Sequence, residues 1–314
     1  MKSNQLFLHQ LPLFHQGKVR DTYTIPDSQS SLLVVATDRV STHNIVHQSL
    51  IPGKGRYLTM LTAFFAEIFA EEGIESHVLA YGRAIYDFVP ELKEIDQNGG
   101  DYFARSLVVE RLSMFPIEFV FRSFLAGSLW KLYESGGSNP YGLDLVPGLQ
   151  LMSPLEVCCG QPLFTPTAKS ELDEPLWTMD IVTDLPRAVG LASHAYQKVQ
   201  AWYRECGITV VDGKFEIGYC PGIGFVVGDE FGTSDCCRLV PTETIRLGEE
   251  PPWADKQIVR RAAEEMWGAG PRVPLTFSET IVQHTIESYR HIAERVTGLS
   301  AEKWGRGHTS FPLL

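Results

Sequence analysis

No apolar run in this 314-residue chain approaches the roughly 18 residues that a membrane-spanning helix requires, so no membrane partner is expected. The opening MKSNQLFLHQLPLF lacks a continuous apolar core and a small-residue cleavage site, so no secretory signal is expected. Positive charge is short too. There are 27 Lys and Arg against 38 Asp and Glu, and the net charge of −11 disfavours nucleic-acid binding by phosphate neutralisation. Cysteine is sparse: Cys158, Cys159, Cys206, Cys220, Cys236 and Cys237 include two adjacent pairs and no C-x-x-C, which argues against a zinc site or disulfide framework. The expectation is a reduced, cytoplasmic protein. The phosphate-binding loop G-x-x-x-x-G-K-[ST] and internal repeats are also missing. With so acidic a chain, an anionic ligand would need positive charge concentrated in one cleft.

What is present is 44% hydrophobic residues over a length that allows a large core and two domains. The stretch 210–238, VVDGKFEIGYCPGIGFVVGDEFGTSDCCR, alternates apolar and polar positions on both sides of Pro221-Gly222-Ile223-Gly224 and reads as a β-hairpin. A two-residue loop at Gly222-Ile223, or a four-residue loop at 221–224, sets residue i opposite residue 445 − i. Glu216 then faces Asp229, with Lys214 and Asp212 on the same face. Opposed carboxylates repel unless a hard cation such as Mg²⁺ lies between them. A solvated polar face is the simpler account of the pattern alone, and a turn centred on Pro221-Gly222 would shift the register and separate the pair.

Elsewhere, Gly17-Lys18-Val19-Arg20 precedes a strand and could bring backbone N–H groups and cations to phosphate, or be a plain charged turn. Residues 36–55 form a strand end and a polar loop carrying Asp38, Ser41, His43, Asn44 and Lys54. Apolar spacing predicts helices over 56–72 and at about 187–206, 254–267 and 278–297. Short strands are expected within 77–112, and a strand at 117–121 leads into a helix opening at Ala126-Gly127-Ser128. Ser128 near a helix N-terminus, close to Arg122, is either a phosphate contact or a simple cap. Residues 136–176 have few periodic runs and read as a substrate loop or lid; Lys169, Glu171, Asp173 and Glu174 cluster inside it.

In order, GKVRDTY, ATDRVS, IPGKG, FPIEFVFRSFLAGSLWK, PLFTPTAK, VVDGKFEIG and VVGDEFGTSDCCRLVP resemble the motifs of the phosphoribosylaminoimidazole-succinocarboxamide synthase (SAICAR synthetase) family over roughly residues 14–245. The resemblance implies an α+β fold, with an N-terminal antiparallel sheet domain like a kinase small lobe over 1–112 and an ATP-grasp-like domain over 113–314. It implies an ATP-dependent ligase that joins the carboxylate of carboxyaminoimidazole ribonucleotide to aspartate through a phosphorylated carboxylate, with Mg²⁺, in purine biosynthesis. Small-molecule substrates are its expected partners, and a homo-oligomer is left open. By motif, Lys18, Arg20, Val108, Glu110 and Glu118 go to ATP. Arg122, Ser128 and Arg238 go to the ribonucleotide phosphate. Lys214, Asp212 and Lys169 go to the reacting groups, Glu216 and Asp229 to Mg²⁺, and Ser41, Asn44 and Asp173 to the amine substrate.

Three segments depart from the family pattern. Leu172 stands where His is expected and Pro175 where Asn is expected, in a shortened segment; the first loop reads Ser41-Thr42-His43-Asn44; and Ser234-Asp235-Cys236-Cys237-Arg238 lacks the usual proline and serines. Two other readings therefore stand beside the first: a paralogous ATP-dependent amide ligase with another amine or nucleotide carboxylate, and a non-catalytic nucleotide-binding homologue. Intact Lys214, Glu216, Asp229 and Arg238 argue against the last. The thiols beside Arg238 are either activated by it or buried and inert.

Overall fold

The structure, a computed structural model, describes residues 11–136, 139–155, 162–170 and 172–312. Cys158, Cys159 and Glu171 lie outside the described residues. The chain forms two compact units, the first from the described parts of Met1–Ile68, His77–Arg111 and Lys256–Leu314, the second from Phe69–Ser76 and Leu112–Asp255. The expected α+β class holds, with antiparallel strand pairing throughout the named sheets.

The first unit begins with β1 (Leu13–Gln16), β2 (Arg20–Thr24) and β3 (Ser31–Ala36). The run Leu32-Leu33-Val34-Val35 supplies the aliphatic residues that a buried strand favours, and Leu33 is wholly buried. Strands β4 (Arg39–Thr42) and β5 (Ile45–Leu50) form a separate hairpin. Its two-residue loop, His43-Asn44, has φ of 47° and 64°, the geometry of a type I′ turn. Helix α1 (Lys54–Glu71) buries Phe64, Phe65 and Phe69 and ends at Gly73, φ +67°.

Beyond it, β6 (Val78–Tyr81) and β7 (Ser106–Glu110) complete a sheet of order β1-β2-β3-β7-β6. Between them the expected short strands give way to a 3₁₀ turn, Gly82–Asp87, and to helices α2 (Glu91–Gln97) and α3 (Tyr102–Arg105). Glu91, Leu92, Lys93 and Glu94 are good helix formers, and Pro90 stands at the helix start, where a missing N–H costs nothing.

The second unit is organised by a single long strand. Strands β8 (Ser113–Met114) and β9 (Ile117–Arg122) lead into α4 (Gly127–Glu134); the two-residue β10 (Leu163–Phe164) and β11 (Thr167–Ala168) pair with β9. Helices α5 (Thr178–Asp184) and α6 (Pro186–Glu205) precede β12 (Ile208–Cys220), which continues into β13 (Gly224–Gly228) and β14 (Cys237–Pro241). One half of β12 lies between β9 and β14, the other between β13 and β8. Helix α6 covers it. The Tyr196 ring stacks on Phe121 with centroids 5.6 Å apart, and a Cβ added to Gly213 would meet that ring at 3.1 Å.

Part of the stretch expected to be a structureless lid is packed. Tyr141, Leu155 and Leu163 join Leu125 and Leu129 in one apolar cluster, and the Tyr133 hydroxyl ties Val146 and Leu149 to α4. The chain then returns to the first unit with α7 (Gln257–Trp267), α8 (Glu279–Thr297) and α9 (Ala301–Gly305). Val259, Ala263, Trp267 and Phe277 bury Val40 and Ile51, which anchors the β4–β5 hairpin. No helix among the described residues is long and apolar enough to cross a membrane.

Candidate active site

Strand pairing assembles the first constellation. Asp212 on β12 is opposite Arg122 on β9 and opposite Arg238 on β14, so three charged residues stand abreast on neighbouring strands. Side chains at one level of adjacent strands share a face. Arg122 donates to Asp212 Oδ2 at 3.0 Å, and Arg238 donates to the same oxygen. The remaining donors of Arg122 reach Thr165 Oγ1 at 2.9 Å and Ser128 Oγ at 3.2 Å. All three charged groups are buried or nearly so, and Arg238 Nε is buried with no hydrogen-bond partner. Gly127 opens α4 with φ +59°, and a Cβ there would lie 2.5 Å from the Arg238 guanidinium. Only a glycine satisfies both conditions. Two guanidiniums against one carboxylate leave surplus positive charge beside a hydroxyl and a helix N-terminus, an arrangement suited to a phosphate.

The second constellation occupies the next positions along β12. Lys214 Nζ lies 2.7 Å from Glu216 Oε1, 3.2 Å from Glu118 Oε1 and 3.9 Å from Asp229 Oδ2. Glu118 Oε2 accepts from Thr167 Oγ1 at 2.9 Å, and Glu216 Oε2 contacts the Lys169 ammonium. Burial on its own would lower the Lys214 pKa. The Glu216, Glu118 and Asp229 carboxylates outweigh it and hold the ammonium well above its usual range.

Asp229 reaches this cluster by a route other than the expected one. The hairpin pairs Glu216 with Gly228 and Cys220 with Gly224, so residues i and 444 − i are opposed, and the loop is the three residues 221–223. Glycines 222 and 224, with φ of +89° and +108°, allow that loop length. Asp229 lies just past the end of β13 in a left-handed conformation, φ +54°.

The other expected residues fall as follows. Gly17 N–H donates to Arg20 C=O at 2.8 Å, closing the turn that carries Lys18. Arg39 clasps this turn by donating to the Lys18 and Gly17 carbonyls and to Asp21. Lys18 Nζ donates to Asn44 Oδ1, so the segment expected for phosphate meets the loop expected for the amine. Ser41 is buried on β4, Val108 is wholly buried in the middle of β7, and Glu110 ends that strand. Asp173 is exposed with φ +48°. Ser41 and Asn44 belong to the first unit and Asp173 to the second.

Two threonines and a glycine were not singled out from the sequence as site residues. Thr165 and Thr167 alternate in PLFTPTAK, a period-two signal that would have placed both on one face. Gly127 carries no such signal. Nor is Cys237 activated: its hydrogen bond with Cys236, burial and nearby negative charge push its thiol well up.

Comparison with known proteins agrees with this framework. The family model for SAICAR synthetase matches residues 13–273. The phosphoribosylaminoimidazole-succinocarboxamide synthase of Thioalkalivibrio sulfidiphilus is 37% identical over 308 residues, 94% of this chain and 98% of that protein. Its counterpart in Desulfotalea psychrophila is 32% identical over 302 residues, 92% and 96% of the two chains. Among solved structures, the SAICAR synthase of Saccharomyces cerevisiae complexed with SAICAR superposes with a TM-score of 0.76 at 29% identity, covering 92% of this chain and 96% of that one. An α+β framework with two charged groups along one central strand, matched over nearly its whole length to ligases, defines an enzyme of the ligase class. The chain belongs to the SAICAR synthetase family.

Proposed function

We propose that the chain joins the carboxylate of carboxyaminoimidazole ribonucleotide to the amino group of aspartate, with ATP as the activating substrate, as a cytoplasmic step of purine biosynthesis. The observation that carries this reading is the Arg122–Asp212–Arg238 row with Ser128 beside it, an anion site suited to a ribonucleotide phosphate. A carboxylate is a poor acyl donor. Its oxygen takes the γ-phosphoryl group of ATP, ADP leaves, and the amine nitrogen then attacks the acyl carbon as phosphate departs and the nitrogen loses a proton. Such chemistry asks a protein mainly for positioning and charge stabilisation.

Lys18 and Arg20 contact ATP phosphates, residues around Val108 and Glu110 receive the adenine, and Glu118 completes that set. Asp212 orients the two arginines, while Lys214 and Lys169 offset charge on the reacting groups. Ser41, Asn44 and Asp173 bear on the amine. Among the described residues no three His, Cys, Asp or Glu side chains are grouped to hold a metal ion by themselves. The donor set nevertheless fits Mg²⁺, because one or two carboxylates plus substrate phosphates are its usual ligands. Glu216 and Asp229 both approach the Lys214 ammonium, so the two carboxylates are neighbours. Glu216 and Asp229 would hold the ion, which when bound would neutralise phosphate oxygens.

The test is ADP release by the purified protein with ATP, Mg²⁺, the ribonucleotide and a panel of amines. Aspartate-dependent release with a product of the expected mass is the predicted result. Release only with another amine would replace aspartate by that amine, and none with any amine would remove the ligase reading.

A further inference from the structure

Glu216 is 1% exposed, and both of its oxygens face an ammonium group. The two lysines are held differently. Lys214 is part of β12, two residues from Glu216, and is also close to Glu118 and Asp229. Lys169 follows the two-residue β11 at the start of a turn, and its side chain is 48% exposed although its ammonium contacts Glu216 Oε2. One lysine is therefore built into the strand, and the other reaches in from the rim on a flexible four-carbon stem.

We propose that Lys169 is a place-holding cation: its ammonium occupies the Glu216 oxygen that a divalent metal would take, and metal binding displaces it. The proposal rests on Glu216 being a metal ligand, as set out under Proposed function. A buried carboxylate facing no cation carries a large desolvation cost, so Glu216 needs a cation before any metal arrives. A metal ion and an ammonium at one carboxylate oxygen would repel each other at so short a distance. Lys214 is also held by Glu118 and Asp229, whereas the more exposed Lys169 can swing outward by side-chain rotation. Metal arrival thus exchanges one cation for another at Glu216 and releases Lys169 to face an anionic substrate group. Free metal binds more weakly than the donor set alone would allow.

The experiment is Mn²⁺ binding, followed by loss of the free-ion electron paramagnetic resonance signal, to the full chain without nucleotide. Lys169→Met should bind Mn²⁺ about tenfold more tightly than the unchanged protein, the scale of one charge-assisted hydrogen bond removed from competition. Lys169→Arg, which keeps a cation in place, should bind like the unchanged protein. Adding Glu216→Gln to Lys169→Met should abolish the gain. Equal or weaker binding by Lys169→Met, with Glu216→Gln still lowering affinity, would overturn the place-holder and leave the metal site standing. Binding indifferent to Glu216→Gln in both backgrounds would remove the metal site and the place-holder together.

Discussion

The two charged groups on β12 are neighbours built on opposite principles. In the Arg122 row every charged partner comes from a strand, each is fixed by pairing, and the side chains are 5%, 9% and 16% exposed. In the Glu216 cluster only Glu118, Lys214 and Glu216 lie on strands; Lys169 and Asp229 come from turns, and all members but Glu216 are partly open to solvent. A row fixed by pairing can hold a constant feature such as a phosphate. A cluster with two of its five members outside strands can exchange one cation for another. The proposed roles thus assign a binding end and a reacting end to the same strand.

The largest effect is expected where the rigid row is broken. Asp212→Ala would leave two guanidiniums buried side by side without their carboxylate, and chemical denaturation should show a loss of about 3–5 kcal/mol. A loss below about 1 kcal/mol would mean that the row is far wetter than its burial indicates. At the other end, Glu216→Gln should leave the denaturation midpoint nearly unchanged, because Lys214 keeps Glu118 and Asp229 and Lys169 can turn to water. Its kcat should fall by about 100-fold or more, the scale of losing one preorganised charge contact in a transition state. A variant of full activity would take Glu216 out of the reacting end.

How far the sequence foretold this contrast depends on the residue. Period-two alternation placed Lys214 and Glu216 on one face, and the apolar spacing located α1, α6, α7 and α8 to within a few residues. The partner of Glu216 was misread because a hairpin's register hangs on its loop length: a three-residue loop shifts every pair by one position. Asp229 still reaches the cluster, through a left-handed backbone that no alternation pattern reveals. The pairing of Asp212 with both arginines was out of reach for another reason, since only the sheet order brings β9 and β14 to either side of β12. The 3₁₀ turn and helices between β6 and β7 show local helix formers prevailing over an expectation of short strands.

The smallest effect concerns neither end of β12. Burial, then Arg260 and Arg272, lower the His43 pKa against the pull of Glu264; burial, then His43 and Lys256, lower that of His47. His47 Nδ1 accepts from the Leu275 N–H, which fixes a neutral ring. Folded values below the ordinary 6.5 mean that the unfolded chain binds more protons in acid. This contribution to stability is complete above about pH 6.5 and is lost as the pH falls below it. Urea midpoints at pH 7.5 and 5.5 should differ less in His43→Asn, since Asn tolerates the left-handed turn and does not titrate. An unchanged difference would place the acid sensitivity elsewhere.

The division of labour along β12 is tested most directly by the equilibrium dissociation constant of carboxyaminoimidazole ribonucleotide, measured by calorimetry without ATP or metal. Gly127→Ala, which forces a Cβ against the Arg238 guanidinium, should weaken binding about tenfold or more, while Glu216→Gln should change it by less than about twofold. Undiminished binding in Gly127→Ala together with a large loss in Glu216→Gln would contradict the assignment of the phosphate to the arginine row.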